Sequence, residues 1–409
     1  MRDFAPGAAS ARRRIAETLL RVFERWGYAR VITPAFEYED VLALGLGSAG
    51  RDAAIRFVEP SSGQVVALRP DITPQIARLI ATRYRDESGP LRLCYEGTVL
   101  RMDRRARAQR ELIQAGVELA GVESPPGDAE LIALGAAAIV AAGLEQPTID
   151  LGHLGLAREV LSAVQLPDDA LETVRGRIAK RDRVGLLEVL RRARGPKAVV
   201  EFAARLPELS GPPDILKVAL RTAPTPEIRR ALQNLESVVR ELERRQIAAR
   251  LHVDLGEVRG FDYYTGIRLQ GFVPGASEPV LQGGRYDSLL GRYGRPCPAV
   301  GFAVDVEATA GAIEAAGAPS PISVDDEERV GGVLISGPAK EALRLCDELR
   351  GEGRRAAVDY GVLKGAALDA YAARWQFSEV VRLGSRPAKR ASAPARRASK
   401  PAKRQPKKR

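Results

Sequence analysis

Ile15, Leu19, Val22 and Trp26 fall at i, i+4, i+7 and i+11, the spacing of one helix face. Gly27 follows, and Val31-Ile32-Thr33-Pro34 leads into extended chain, because the residue before a proline is pushed out of the helical region. Val65–Leu68 predicts a strand after the Ser61-Ser62-Gly63 turn. A helix is predicted over 71–83, with Pro74 in its first turn, where a missing N–H costs nothing. Segments 95–102 and 117–120 predict strands on either side of a polar, arginine-rich loop.

From 167 to 250 the pattern changes to Leu, Ala, Arg and Glu at helical spacing, as in Leu232, Leu235, Val239 and Leu242. Alternation then returns in Leu251, Val253 and Leu255, and again in Ile267 and Leu269. An acidic linker at 323–328 precedes a short strand–helix–strand–helix piece. The expected organisation is a core of 1–166 and 251–322, a helical insertion at 167–250, an α/β piece at 330–385 and a basic tail at 386–409. There is no internal repeat.

The 409 residues, 45 % hydrophobic, suffice for two or three domains. The net charge of +11 suggests nucleic acid until it is located. Residues 386–409 hold 11 Lys or Arg and no Asp or Glu; removing these from the 63 basic residues leaves 52, equal to the 52 acidic ones. The body is formally neutral, which argues against a basic nucleic-acid face. The tail cannot bury a core and is expected to be disordered. Salt-sensitive attraction to anionic surfaces is its sharper reading, a solvated extension the plainer one.

Cys94, Cys297 and Cys346 are odd in number and widely spaced, which argues against a disulfide framework and a metal site. The N-terminus has no apolar run like a signal peptide's, and no stretch of about 18 apolar residues occurs. A cytoplasmic protein is expected. His153 and His252 lie far apart in sequence, so neither a metal cluster nor a Ser/His/Asp triad is indicated. With no GxxxxGK[ST] loop and no GxGxxG after a predicted strand, no cofactor is expected. The glycine pair in Gln282-Gly283-Gly284-Arg285-Tyr286-Asp287 reads, alone, as a bulge or tight turn.

Three segments place polar residues in strand-like apolar context. They are Leu68-Arg69-Pro70-Asp71-Ile72-Thr73-Pro74, the stretch from Tyr95 through Arg101 to Gln114-Ala115-Gly116-Val117-Glu118, and Val258-Arg259-Gly260-Phe261-Asp262-Tyr263-Tyr264-Thr265-Gly266. Each has a structural explanation. Asp71 and Thr73 suit a helix cap, Arg101 and Glu118 an ion pair, Tyr263 and Tyr264 a core with satisfied hydroxyls.

In this order and at these separations the segments resemble the histidyl-tRNA synthetase family, whose histidine-recognising signature reads R-G-x-D-Y-Y-T-G. Gly283-Gly284-Arg285-Tyr286-Asp287, Pro298-Ala299-Val300-Gly301-Phe302-Ala303 and Trp26-Gly27-Tyr28 with Thr33-Pro34 extend the likeness over roughly 1–310. The resemblance implies an α+β fold of class II synthetase type, a six-stranded antiparallel sheet flanked by helices, assembled as a homodimer. It also implies roles toward free histidine. Asp71, Thr73 and Gln114 would accept from the ammonium. Glu118 and Tyr264, with Tyr263 nearby, would meet the imidazole. Arg259 and Arg101 would face the carboxylate.

The chain departs from a synthetase in three places. Its third motif reads Gly301-Phe302-Ala303-Val304-Asp305-Val306-Glu307-Ala308, with Asp305 for a glycine and Ala308 for the nucleotide-binding arginine. Arg110-Glu111-Leu112-Ile113-Gln114 replaces R-Q-F-H-Q, and the 330–385 piece is shorter than the family's anticodon-binding domain. A kept histidine pocket with a damaged ATP site resembles the family's non-catalytic branch, the regulatory subunits of ATP phosphoribosyltransferase. That likeness implies a short-form catalytic subunit as partner and histidine as feedback effector, with no catalytic residue and no nucleic acid expected. The near-intact signature around Arg259 leaves a working histidyl-tRNA synthetase as the alternative.

Overall fold

The computed structural model describes residues 3–87, 90–102, 111–317 and 332–384, apart from 353, 355, 360–362, 375 and 376. The arginine-rich loop at 103–110 and the basic tail at 386–409 lie outside the described residues. The chain forms two compact units, 1–322 and 323–409.

The first unit is built on strands β1 (Ala29–Arg30), β2 (Phe36–Tyr38), β3 (Ile55–Val58), β4 (Val65–Leu68), β5 (Leu91–Leu100), β6 (Glu111–Ala120), β7 (Thr148–His153), β8 (Ser210–Gly211), β9 (Arg250–Asp254), β10 (Ile267–Phe272), β11 (Leu281–Arg285) and β12 (Ala299–Asp305). Nine of them make one sheet, ordered β1-β5-β6-β12-β11-β10-β7-β9-β8. Its middle six, from β5 to β7, are antiparallel throughout. Parallel pairs add β1 and β9 at the two ends, and β8 closes on β9. The fold is therefore α+β, with β2, β4 and β3 in a small separate sheet.

Strand alternation gives the large sheet two unlike faces. Ala115, Val117 and Leu119 of β6 are buried in a core with Ile15, Leu19 and Phe23 of the helix Pro6–Arg25, Leu131 and Leu134 of Pro126–Ala141, and Leu232 and Leu235 of Pro226–Arg245. Val174, Leu186 and Phe202, from the helical stretch predicted at 167–250, join the same core. That stretch also contributes β8, a strand the sequence pattern did not signal. The other face carries Gln114, Gly116 and Glu118, and there the site forms.

Some local expectations shift. The first helix ends at Arg25, so Trp26 lies past it and is 36 % exposed, while Arg12 and Phe23 face the core. β5 and β6 begin earlier than predicted, because pairing holds their polar ends in register from Leu91↔Ala120 to Leu100↔Glu111. Gly283 and Gly284 lie within β11 rather than in a turn. His153 caps the helix Leu154–Val164, its Nδ1 accepting from the Leu156 N–H at 2.9 Å, and burial lowers its pKa to about 4. His252 sits 2.9 Å from Asp150 and 3.3 Å from the Ser210 hydroxyl. The three cysteines are free thiols. No helix among the described residues is long and apolar enough to cross a membrane.

The second unit centres on β13 (Val333–Ser336), parallel to β14 (Ala356–Val358) and β15 (Glu379–Arg382). Val333, Ile335, Ala342, Cys346 and Leu349 form a small core of its own.

Candidate functional site

On the polar face, Glu118 of β6 stands opposite Gly301 of β12, Gly116 opposite Ala303, and Gln114 opposite Asp305. Gly301 in turn faces Gly284 of β11, which faces Arg268 of β10. Small residues leave room along this floor. A Cβ at Gly301 would run into the Glu118 carboxylate and lie 2.6 Å from the Val117 carbonyl oxygen; one at Gly284 would lie 2.5 Å from the Ile267 carbonyl oxygen and press on the Tyr264 ring. The glycines are there for close approach.

Above this floor opens a cavity of about 540 Å³, within the range of small-molecule sites. Asp71, Thr73, Arg101, Gln114, Tyr263 and Tyr264 all line it, joined by Tyr286 and Asp305. The Asp71 Oδ1 accepts from the Thr73 backbone N–H at 3.0 Å at the entry to the helix Thr73–Arg83, and the residue lines the cavity. Gln114 Oε1 and the Tyr263 hydroxyl are buried with no hydrogen-bond partner among the described residues. Buried polar atoms are normally paired, so two orphans in one cavity wall point to a polar ligand. The Tyr263 and Tyr264 rings meet edge to face at 5.0 Å, and Tyr263 packs on Tyr286 at 5.6 Å.

Glu118 lies one layer deeper, behind Thr73 and Tyr286, and is 2 % exposed. Its Oε1 accepts from the Tyr95 hydroxyl at 3.3 Å and its Oε2 from Tyr286. Burial pushes its carboxyl well above the usual carboxylate range; the Asp71 charge adds to this, while hydrogen bonds from Thr73 and Tyr95 oppose it. Burial likewise raises the Tyr264 hydroxyl to about 12 and Tyr263 well above its ordinary value. Arg101 and Glu118 are not the ion pair that their sequence positions allowed: Arg101 donates through Nε to the Pro70 carbonyl at 2.7 Å.

Arg259 differs from expectation most. It does not line the cavity but turns along the sheet toward β10. Its guanidinium grips Glu257 at 2.7 and 3.0 Å and reaches Gln270 Oε1 at 3.3 Å. Glu257 gives the reason. Burial works against its charge, and Arg259 and Arg268 together outweigh that and hold its carboxyl below the usual value.

At the opposite end, Asp305 caps the helix Val306–Ala315. Its Oδ1 accepts from the backbone N–H of Glu307 at 2.8 Å and of Ala308 at 2.9 Å. A helix N-terminus attracts anions through these groups; here the chain's own carboxylate takes them. Burial raises the Asp305 carboxyl, against the pull of those bonds and of Arg101. Ala308 packs on the core, and Glu307 is buried against Arg12 at 2.7 Å.

Sequence reasoning missed the wall formed by Leu46, Gly47, Ser48 and Gly50, the strand-edge residues Pro279, Val280 and Gln282, and Arg175 of the insertion. None carries a local signal; only the fold brings them to the site. In chemical terms, Asp71 and the amide and hydroxyl acceptors would suit an ammonium, the buried acid and tyrosines a planar N–H donor, and the cations a carboxylate.

Residues 1–309 match the family model described as histidyl-tRNA synthetase. An ATP phosphoribosyltransferase regulatory subunit from Geobacter metallireducens is 41 % identical over 313 residues, 76 % of this chain and 72 % of that one. Its namesake from Geobacter sulfurreducens is 38 % identical over 361 residues, 87 % and 81 % of the two chains. Among solved structures, an ATP phosphoribosyltransferase regulatory subunit/histidyl-tRNA synthetase from Bacillus halodurans superposes with a TM-score of 0.79 at 26 % identity, covering 93 % of this chain and 96 % of its own. Apo histidyl-tRNA synthetase from S. aureus, at 22 % identity and a TM-score of 0.65, shares the fold over 93 % of this chain and 90 % of its own. The chain belongs to the histidyl-tRNA synthetase family, in the branch of ATP phosphoribosyltransferase regulatory subunits.

Proposed function

We propose that the cavity holds free L-histidine and that the protein is a non-catalytic regulator. Its partner is the short-form catalytic subunit of ATP phosphoribosyltransferase, the enzyme for which its relatives are named. The complex carries out the first step of histidine biosynthesis, and bound histidine, the end product, feeds back to lower its activity. The histidine ammonium meets Asp71, Thr73 and Gln114, its imidazole lies against Tyr264 and Tyr263 with Glu118 beneath, and its carboxylate faces Arg101. By linkage, whatever favours the active state of the complex weakens histidine binding to the same degree. A homodimer of the first unit is part of this reading, and a cytoplasmic location suits it.

The observation that carries the non-catalytic reading is Asp305 seated on the helix N-terminus, with Ala308 beside it in place of a cation. A triphosphate there meets a carboxylate and finds its backbone donors already taken. Loss of one such electrostatic contact costs a reaction about 2.7–4 kcal/mol in transition-state stabilisation. The working-synthetase alternative draws on Arg101, which faces the cavity. One experiment separates the two. Turnover of the catalytic subunit from the same organism is followed with and without this protein across a histidine titration, with ATP–pyrophosphate exchange measured in parallel. Turnover that rises with the protein and falls with histidine, without exchange, is the expected result. Histidine-dependent exchange at synthetase-like rates, or no effect on turnover, would overturn the regulatory reading.

A further inference from the structure

Arg259 is tied to Glu257, so the cations on the cavity wall among the described residues are Arg101 and Arg175. Arg175 belongs to the helix Asp168–Ala179 of the insertion, far in sequence from the other residues around the ligand space. One aromatic ring holds its position. Its guanidinium lies over the Phe261 ring, 4.6 Å from the centroid, and that of Arg158 lies 4.9 Å from the same centroid. Arg158 also donates through Nη2 to the carbonyls of Phe261, at 2.7 Å, and Tyr264, at 3.0 Å. The loop bearing Tyr263 and Tyr264 is thus held against the insertion through Phe261. The carboxylates near Arg175 are Glu172 at 3.1 Å and Asp262 at 3.9 Å, with side chains 82 % and 56 % exposed. Water screens such exposed pairs, so they hold the guanidinium only weakly against a competing anion in the cavity.

We infer that Arg175 is a ligand-contacting residue: it binds the carboxylate of the amino acid in the cavity, and through it the helical insertion takes part in the site. A planar guanidinium binds a carboxylate through two parallel N–H bonds, and Arg101 has one of its donors committed to Pro70. Occupancy then stiffens the contact between the insertion and the 258–266 loop, a route from ligand to a distant surface. This inference rests on the reading that histidine occupies the cavity.

The test is calorimetric titration of the full-length protein and its Arg175→Met and Arg175→Lys variants with two ligands. One is L-histidine; the other is histidinol, which carries a hydroxymethyl group in place of the carboxylate. Arg175→Met is expected to weaken histidine by about tenfold or more while histidinol stays within about threefold. Arg175→Lys, which keeps the charge but loses the fork, is expected to fall between. Equal weakening of both ligands would reduce Arg175 to a support for Phe261 and overturn the inference, as would no change in either. A wild-type protein that binds neither ligand would overturn the histidine reading itself.

Discussion

Replacing Glu118 by Gln removes the ionisable carboxyl from beneath the cavity while keeping the shape of the side chain; of the two oxygens that accept from the Tyr95 and Tyr286 hydroxyls, one remains and the other becomes an amide donor. Glu118→Ala would instead orphan both hydroxyls, at about 1–3 kcal/mol each, and confuse binding with folding. A hydrogen bond to a charged group contributes about 1.5–3 kcal/mol, so losing it at the imidazole raises the histidine Kd about tenfold to a hundredfold. The empty protein moves the other way. Burial holds the Glu118 carboxyl well above 4.5. A carboxyl raised in the folded state contributes stability below its unfolded pKa and loses it as pH climbs through the folded one. Wild type therefore loses stability relative to E118Q as pH rises from about 4.5. Asp305 and Asp254 shift in the same direction, so the difference between the two proteins, not the wild-type curve, isolates Glu118. Calorimetric titration with histidine and melting temperatures across pH give both readouts. E118Q that binds histidine within about threefold of wild type, with an unchanged pH profile of Tm, would refute the reasoning.

Asp305→Gly gives up a helix cap at a cost of only about a few tenths of a kcal/mol, because glycine is itself tolerated there, and frees the Glu307 and Ala308 N–H groups. Affinity for ATP or pyrophosphate, measured by titration, is expected to rise. Gly301→Ala places a methyl against the Glu118 carboxylate; overpacking of about 1–3 kcal/mol should lower the Tm and weaken histidine more than it weakens the fold. Asp128→Ala strips a partner 2.7 Å from Arg285, whose side chain is 4 % exposed. Breaking a buried pair costs about 3–5 kcal/mol. Urea unfolding should read the lower end, because Arg285 keeps Asp287 at 2.9 Å and the Val122 carbonyl at 3.1 Å.

The sequence by itself determined the class of fold and named six of the residues that line the cavity, Asp71, Thr73, Arg101, Gln114, Tyr263 and Tyr264. The alternation in β10, the Pro74-started helix and the order of the three polar segments are local patterns, legible because strand and helix periods differ. It also located Asp305 and Ala308 as departures, since identity at a motif position needs no geometry. Tertiary structure alone decided the rest. Arg259 sits in a signature that reads as ligand-binding, yet Glu257, buried beside Arg268 on a neighbouring strand, draws it away from the cavity. Arg175 carries no motif and reaches the cavity because the insertion packs back onto the sheet. Asp305 reads in sequence as a repulsive charge; the structure adds that it fills the helix N-terminus. Each of these outcomes is a competition among partners brought together from distant parts of the chain. Charges and hydrogen bonds act over a few ångströms of space, and periodicity along the chain does not record which groups come that close.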